Sequence, residues 1–118
     1  MVDVLSKITS IFERLGLPYF RQGSLGDDEP YPQSFFTFWN LGTPLQDFAD
    51  NKENSIVTNY TIYYYTDDPS TIYSKLNEFL GIAKSEGFIC SDLGQDASSD
   101  VNTHTGRRVN ITYKEYLA

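Results

Sequence analysis

The chain holds one histidine, His104, and one cysteine, Cys90. An imidazole can act as general base or metal ligand, and a thiol as nucleophile. With a single histidine, a three-His zinc site is impossible in one chain. A two-His site would need a second copy. Cys90 follows Ile89 in a stretch that reads as a strand, the usual setting of a buried, inert thiol. Asp92, Asp96 and Asp100 recur every four residues in a Gly/Ser-containing segment. Calcium loops place acids two apart with a turn glycine and a distal Glu, so this pattern fails that test. Asp27-Asp28-Glu29 reads as a solvated run. Gly23-Ser24-Leu25-Gly26 lacks the lysine of a phosphate loop and the third glycine of a dinucleotide loop. Asn59-Tyr60-Thr61 and Asn110-Ile111-Thr112 match the glycosylation acceptor pattern. Both fall inside segments that read as strands, and the N-terminus shows no basic start followed by an apolar leader. The expectation is a chain that is not an enzyme, with no catalytic, cofactor or metal residues.

The elements that carry these residues can be read from periodicity. Val4, Leu5, Ile8, Ile11, Phe12 and Leu15 predict a helix over 3–15, with Asp3 as N-cap and Gly16 as stop. Residues 17–22 are a short strand candidate, and 23–30 a loop. Residues 31–41 are the aromatic centre. Phe36 and Phe38 point to one face of a strand, and Phe35, Thr37 and Trp39 to the other. Both faces are apolar, so both should be covered: one by helices, the other by a loop or another subunit. Residues 42–54 read as a loop in which Leu45 and Phe48 are candidate anchors. Residues 55–65 are β-branched and aromatic, the strongest strand signal in the chain. Asp68 and Pro69 open a second helix as N-cap and first residue, and Gly87 ends it. Its buried stripe is Ile72, Leu76, Phe79, Leu80 and Ala83. A short strand over 88–92, a loop over 93–106 and a last strand over 107–116 complete the order. In that last strand Val109, Ile111 and Tyr113 alternate with Arg108, Asn110, Thr112 and Lys114. The fold expected is α+β, a single domain over 1–118 with order α-β-β-β-α-β-β. The sheet is mixed or antiparallel, with two helices packed on one face.

The 118 residues suit one domain with one core. Sixteen acids against nine bases leave a net charge of −7. Phosphate binding needs clustered Lys and Arg, and only Arg107-Arg108 approaches a cluster. Sequence-specific nucleic-acid binding and docking on an anionic membrane are therefore not expected. The longest apolar runs are too short for a membrane-spanning helix. The acids concentrate in predicted loops and the bases on predicted helices and strands. That is either ordinary solvation of turns or an acidic rim around a more basic body.

Three strings carry a resemblance. They are Tyr31-Pro32-Gln33-Ser34-Phe35-Phe36-Thr37-Phe38-Trp39-Asn40, then Tyr63-Tyr64-Tyr65-Thr66-Asp67-Asp68-Pro69, then Ala97-Ser98-Ser99-Asp100 through Thr103-His104-Thr105-Gly106-Arg107. Their order and spacing resemble small prophage proteins of Gram-positive bacteria encoded among tail-assembly genes. The element order is similar to the tail terminator (tail completion, head–tail joining) fold of long-tailed phages. The resemblance covers residues 19 to 116. It implies a structural virion protein that forms a homo-oligomer, a hexameric ring, on the end of the tail tube. Its partners would be the tail tube protein and the head connector or completion protein. Its location would be the tail or neck of the virion, and the host cytoplasm during assembly. DNA would pass through an acidic lumen without being held. In this picture Phe36, Phe38, Ile62 and Tyr64 build the sheet core. The 42–54 and 93–106 loops, with Asp47, Phe48, Asp50, Asp96 and Asp100, contact the tube or connector. Arg107 and Arg108 meet acidic loop residues of an adjacent subunit, and His104 orders its loop by hydrogen bonding. The alternative is a monomeric adaptor or small-ligand binding module, supported by the aromatic content and the long loops.

Overall fold

The computed structural model describes residues 3–22, 31–42, 45–46, 55–90, 92–99 and 103–116. Helix α1 spans Val4–Leu15. The Asp3 carboxylate caps it, accepting from Ser6 N at 3.1 Å and Ser6 Oγ at 2.8 Å. Those bonds from Ser6 hold the Asp3 carboxyl below its ordinary value. Gly16 ends the helix at φ +72°, the left-handed geometry that a side chain resists.

Seven strands follow: β1 (Tyr19–Arg21), β2 (Ser34–Gly42), β3 (Leu45–Gln46), β4 (Ser55–Thr66), β5 (Ile89–Cys90), β6 (Gln95–Ala97) and β7 (Thr105–Tyr116). Helix α2 (Ser74–Ser85) lies between β4 and β5. The strands form one mixed sheet in the order β1-β2-β4-β7-β5, with β3 on β4 and β6 on β7. Only β1 and β2 run parallel. β4 and β7 pair along their whole length, from Ser55 opposite Tyr116 to Thr66 opposite Thr105. At roughly 3.3 Å per residue that ribbon is about 40 Å long. It accounts for most of the 53 Å long axis, and for a radius of gyration of 15.6 Å.

Both helices pack on one face of the sheet, and the registers explain why. Phe36 faces Tyr64, Phe38 faces Ile62, Ile62 faces Val109 and Tyr60 faces Ile111. These side chains point to the same side because alternation is preserved across an in-register ladder. Phe12 of α1 lands on them. Its ring stacks on Phe36 at 4.8 Å, and on Tyr19 and Phe79 at 5.3 Å. Ile8, Ile11, Leu76, Leu80 and Ala83 complete a fully buried cluster. Each large side chain in it contributes roughly 1.5–3 kcal/mol relative to exposure. Leu5, counted on the same helical stripe in the sequence, is 36% exposed. Lys7 and Arg14 of α1 both reach Glu86 at the end of α2, at 3.7 and 3.3 Å.

Four expectations are corrected. The 93–106 segment is not a continuous loop: β6 pairs Gln95, Asp96 and Ala97 with Arg108, Arg107 and Gly106, and β7 begins at Thr105. Short polar strands have no hydrophobic alternation to reveal them; the long β7 edge recruits this one. The 42–54 segment holds β3, which extends the sheet beside Ile56 and Ser55. Asp68 does not cap the α-helix. It caps a 3-10 turn over Pro69–Thr71, and α2 starts at Ser74. Its carboxylate accepts from Ser70 N at 3.1 Å and Ser70 Oγ at 2.7 Å, which tightens that turn and lowers the carboxyl's pKa. The short strands are also shorter than read: 17–22 contracts to Tyr19–Arg21 and 88–92 to Ile89–Cys90.

Candidate functional site

Among the described residues no helix packs on the second face of the sheet. Phe35, Thr37 and Trp39 of β2 project from it, with Asn59, Thr61, Tyr63 and Tyr65 of β4 and Arg108, Asn110, Thr112 and Lys114 of β7. One end is closed by the chain itself. Phe35 is 2% exposed, stacked on Tyr65 at 5.3 Å and edged by Phe20 and Tyr31 at 5.9 and 5.6 Å. His104 packs against the same rings, 5.9 Å from Phe35 and 5.7 Å from Tyr31. Gln22 reaches over the edge, accepting a short hydrogen bond from Thr37 Oγ1 and donating to Tyr65 OH at 3.5 Å. Toward the other end Thr61 and Val57 of the central strand remain buried, at 5% and 7% exposed. Trp39, expected to be covered, is 46% exposed, and Leu41 beyond it 54%.

Both ring nitrogens of His104 are engaged. Nε2 lies 2.8 Å from the carbonyl oxygen of Pro32, which can only accept, so Nε2 carries the proton. In the neutral imidazole Nδ1 then accepts from Thr103 Oγ1 at 2.9 Å. The ring thereby ties the start of β7 to the start of β2. Cys90 projects toward the helices beside the core, on the opposite face, so the two residues do not form a nucleophile–base pair. Burial pushes the Cys90 thiol up, away from the reactive thiolate. Among the described residues no group of three or more His, Cys, Asp or Glu side chains is placed to hold a metal ion.

Arg107 and Arg108 are neighbours in sequence and point to opposite faces. Arg107 is engaged within its own chain. It bonds Asp96 Oδ1 at 3.0 Å and the carbonyls of Gly94 and Leu93 at 3.0 and 3.3 Å, and its guanidinium lies 4.7 Å from the centre of the Tyr73 ring. Its side chain is 15% exposed. The arginine expected to reach an adjacent subunit therefore staples the β6 turn onto the residues ahead of α2. Arg108 is exposed on the helix-free face. With its amide oxygen turned toward the guanidinium, Gln95 accepts from Arg108 Nε at 2.6 Å. No carboxylate among the described residues pairs with it. Asp96 is spent on Arg107. Asp47, Phe48, Asp50 and Asp100 lie outside the described residues, as does the rest of the 47–54 segment.

The two Asn-x-Thr strings meet on this face. Thr61 stands opposite Asn110 and Asn59 opposite Thr112, and each threonine hydroxyl donates to the facing amide oxygen at 2.8 Å. In the sequence the two strings are only discounted acceptor matches lying inside strands. Their matching spacing on two antiparallel strands was the signal that they pair. A hollow of about 270 Å³ lies beside them, between β5 and β6, lined by Asp92, Gly94, Gln95, Arg108, Val109 and Asn110. It falls just short of ordinary ligand cavities and is mostly polar rather than apolar.

Among the described residues no helix is long and apolar enough to cross a membrane. The sequence matches no protein-family model, and no curated protein matches it.

Proposed function

We propose that this chain is a structural component of a phage virion, a tail terminator or head–tail joining protein that caps the tail tube and meets the head connector as a ring. One observation carries the reading. The α-β-β-β-α-β-β order read from the sequence, which is similar to that of the tail terminator fold, recurs here with β3 and β6 as short additions to the same sheet. Two features support it. One sheet face is sealed by both helices, while the other presents an exposed indole and a polar ladder, a surface suited to protein contact rather than to turnover. The chemistry-bearing residues are also used structurally: His104 as a tie, Cys90 beside the core, Arg107 as a staple.

The test is composition of the particle. Virions of a phage carrying this gene are purified, tails are separated from heads, and each fraction is quantified by mass spectrometry. The reading predicts the chain in the tail or neck fraction at about six copies per particle, the number of the hexameric ring that the resemblance implies. Absence from the virion contradicts it.

A further inference from the structure

β1 and β6 are both three-residue strands, and they are held in different ways. β1 is anchored by its rings: Tyr19 stacks on Phe12 at 5.3 Å, and Phe20 meets the edge of Phe35 at 5.9 Å. β6 has no such anchor. Gln95 and Asp96 are exposed and Ala97 is half-buried. Its grip comes from β7, whose adjacent arginines point to opposite faces and both turn back onto β6. On the helix face Arg107 bonds the Asp96 carboxylate at 3.0 Å and the carbonyls of Gly94 and Leu93 at 3.0 and 3.3 Å. On the other face Arg108 Nε donates to the side-chain oxygen of Gln95 at 2.6 Å, with that amide oriented to accept. At the two ends of the pairing Gly94 meets the Arg108 carbonyl and Gly106 the Ala97 carbonyl, each too closely for a Cβ. The Asp96 side chain is 81% exposed, and an ion pair made in water holds weakly. Segments kept by exposed polar bonds rather than by apolar burial are the ones that open first.

We infer that β6 is a clasp that opens and closes by itself while the rest of the sheet stays paired, and that its opening bares the outer edge of β7 from Gly106 to Asn110. β5 covers that edge at Ile111 and Thr112, and β6 covers it from Gly106 to Arg108. No described residue pairs with Val109 or Asn110 on that side, where the polar hollow lies. With β6 lifted, the two stretches join into one run as long as an ordinary strand. An unpaired edge of that length is a template for strand pairing, so the clasp keeps it covered. The clasp does not depend on the ring reading.

Native-state amide exchange of the full chain, followed by NMR at several urea concentrations below the unfolding transition, tests this. The amides of Gln95–Ala97 should be protected, yet exchange at least about a hundredfold faster than those of β4 and about tenfold faster than those of β1. Their rate should be insensitive to urea, because lifting three residues exposes little surface. Alternate amides of β7 over Gly106–Arg108 face β6 and should exchange with it, while those facing β4 stay slow. Arg107→Met and Arg108→Met should each accelerate the β6 amides by about threefold or more. Lys114→Met, on the same strand beyond the reach of β6, should change them by less than about twofold. Thermal melts confirm that the variants are folded. Exchange of β6 at the rate and urea dependence of β4 would overturn the inference, because β6 would then open only with the whole domain. Loss of the β4-facing amides of β7 together with β6 would also overturn it, as fraying of the sheet. So would β6 amides with no protection at all, or rates unmoved by both arginine substitutions.

Discussion

Thr61 Oγ1 donates to Asn110 Oδ1 at 2.8 Å across the two longest strands of the sheet. Two residues along, the roles exchange and Thr112 donates to Asn59. Thr61 is 5% exposed, so its hydroxyl is desolvated and the bond replaces water. A double-mutant cycle with Thr61→Val and Asn110→Ala should give a coupling of about 0.5–1 kcal/mol in urea denaturation. Additive effects would mean that the two side chains do not support one another.

Gly94 has φ +98°, and a Cβ there would lie 2.7 Å from the Arg108 carbonyl oxygen. Gly106 is confined differently, with Tyr65 ring carbon at 2.8 Å and the Ala97 carbonyl at 2.9 Å. Backbone oxygens in a ladder cannot step aside. Gly94→Ala and Gly106→Ala should each lower stability by about 1–3 kcal/mol, whereas Gly81→Ala, inside α2 where the new methyl meets nothing, should raise it by up to about 1 kcal/mol. Chemical denaturation of the three variants checks the ranking.

Phe12 touches both helices' shared core and the sheet through four aromatic partners. Phe12→Ala should cost about 3–5 kcal/mol, a large part of the stability of a domain this size. Leu5→Ala, on the same helix but 36% exposed, should cost far less. Thermal melts distinguish the two.

Asp3 and Asp68 each accept two hydrogen bonds that favour the carboxylate, so both titrate below their ordinary 3.8 when folded. For a depressed carboxyl the contribution is fully present above the unfolded value and disappears as pH falls through the folded one. Stability should therefore decline below pH 3.8 partly through these two groups. Asparagine caps nearly as well without titrating. The Asp3→Asn, Asp68→Asn double variant should show a flatter Tm-against-pH curve in acid, and an unchanged slope would refute the assignment.

Arg107 holds two carbonyls of the turn before β6. Arg107→Met keeps the apolar stem and removes those bonds. Amide exchange at Gln95–Ala97 should accelerate by about tenfold or more, while β4 stays protected. Uniform exchange across the sheet would show that the arginine supports the fold generally rather than this turn.

The large elements were legible because burial imposes a period. Val4, Ile8, Ile11 and Phe12 announce α1, and the alternation of Val109, Ile111 and Tyr113 announces β7 and its inward face. Phe36 and Phe38 share an inward face by the same rule, and Ile62 and Tyr64, placed in the core by the picture the resemblance implies, lie directly opposite them. What escaped were elements defined by a partner rather than by their own pattern. Gln95-Asp96-Ala97 is a strand because Gly106, Arg107 and Arg108 lie beside it, and Leu45-Gln46 because Ile56 does. The site was read less completely for a related reason. Adjacent arginines look like one patch in a sequence, yet alternation sends Arg107 to an internal carboxylate and Arg108 to the surface. Trp39 was expected to be covered because its strand is apolar on both faces, yet it lies just past the last residue paired with β1 and is 46% exposed.

The central claim is that this chain ends a phage tail, and deletion of its gene tests that most directly. Lysates of the deletion phage are examined by negative-stain electron microscopy beside a complemented control. The account predicts filled heads without attached tails, together with tails of irregular and often excessive length. Joined particles with tails of normal length, from a phage shown to lack the protein, would contradict it.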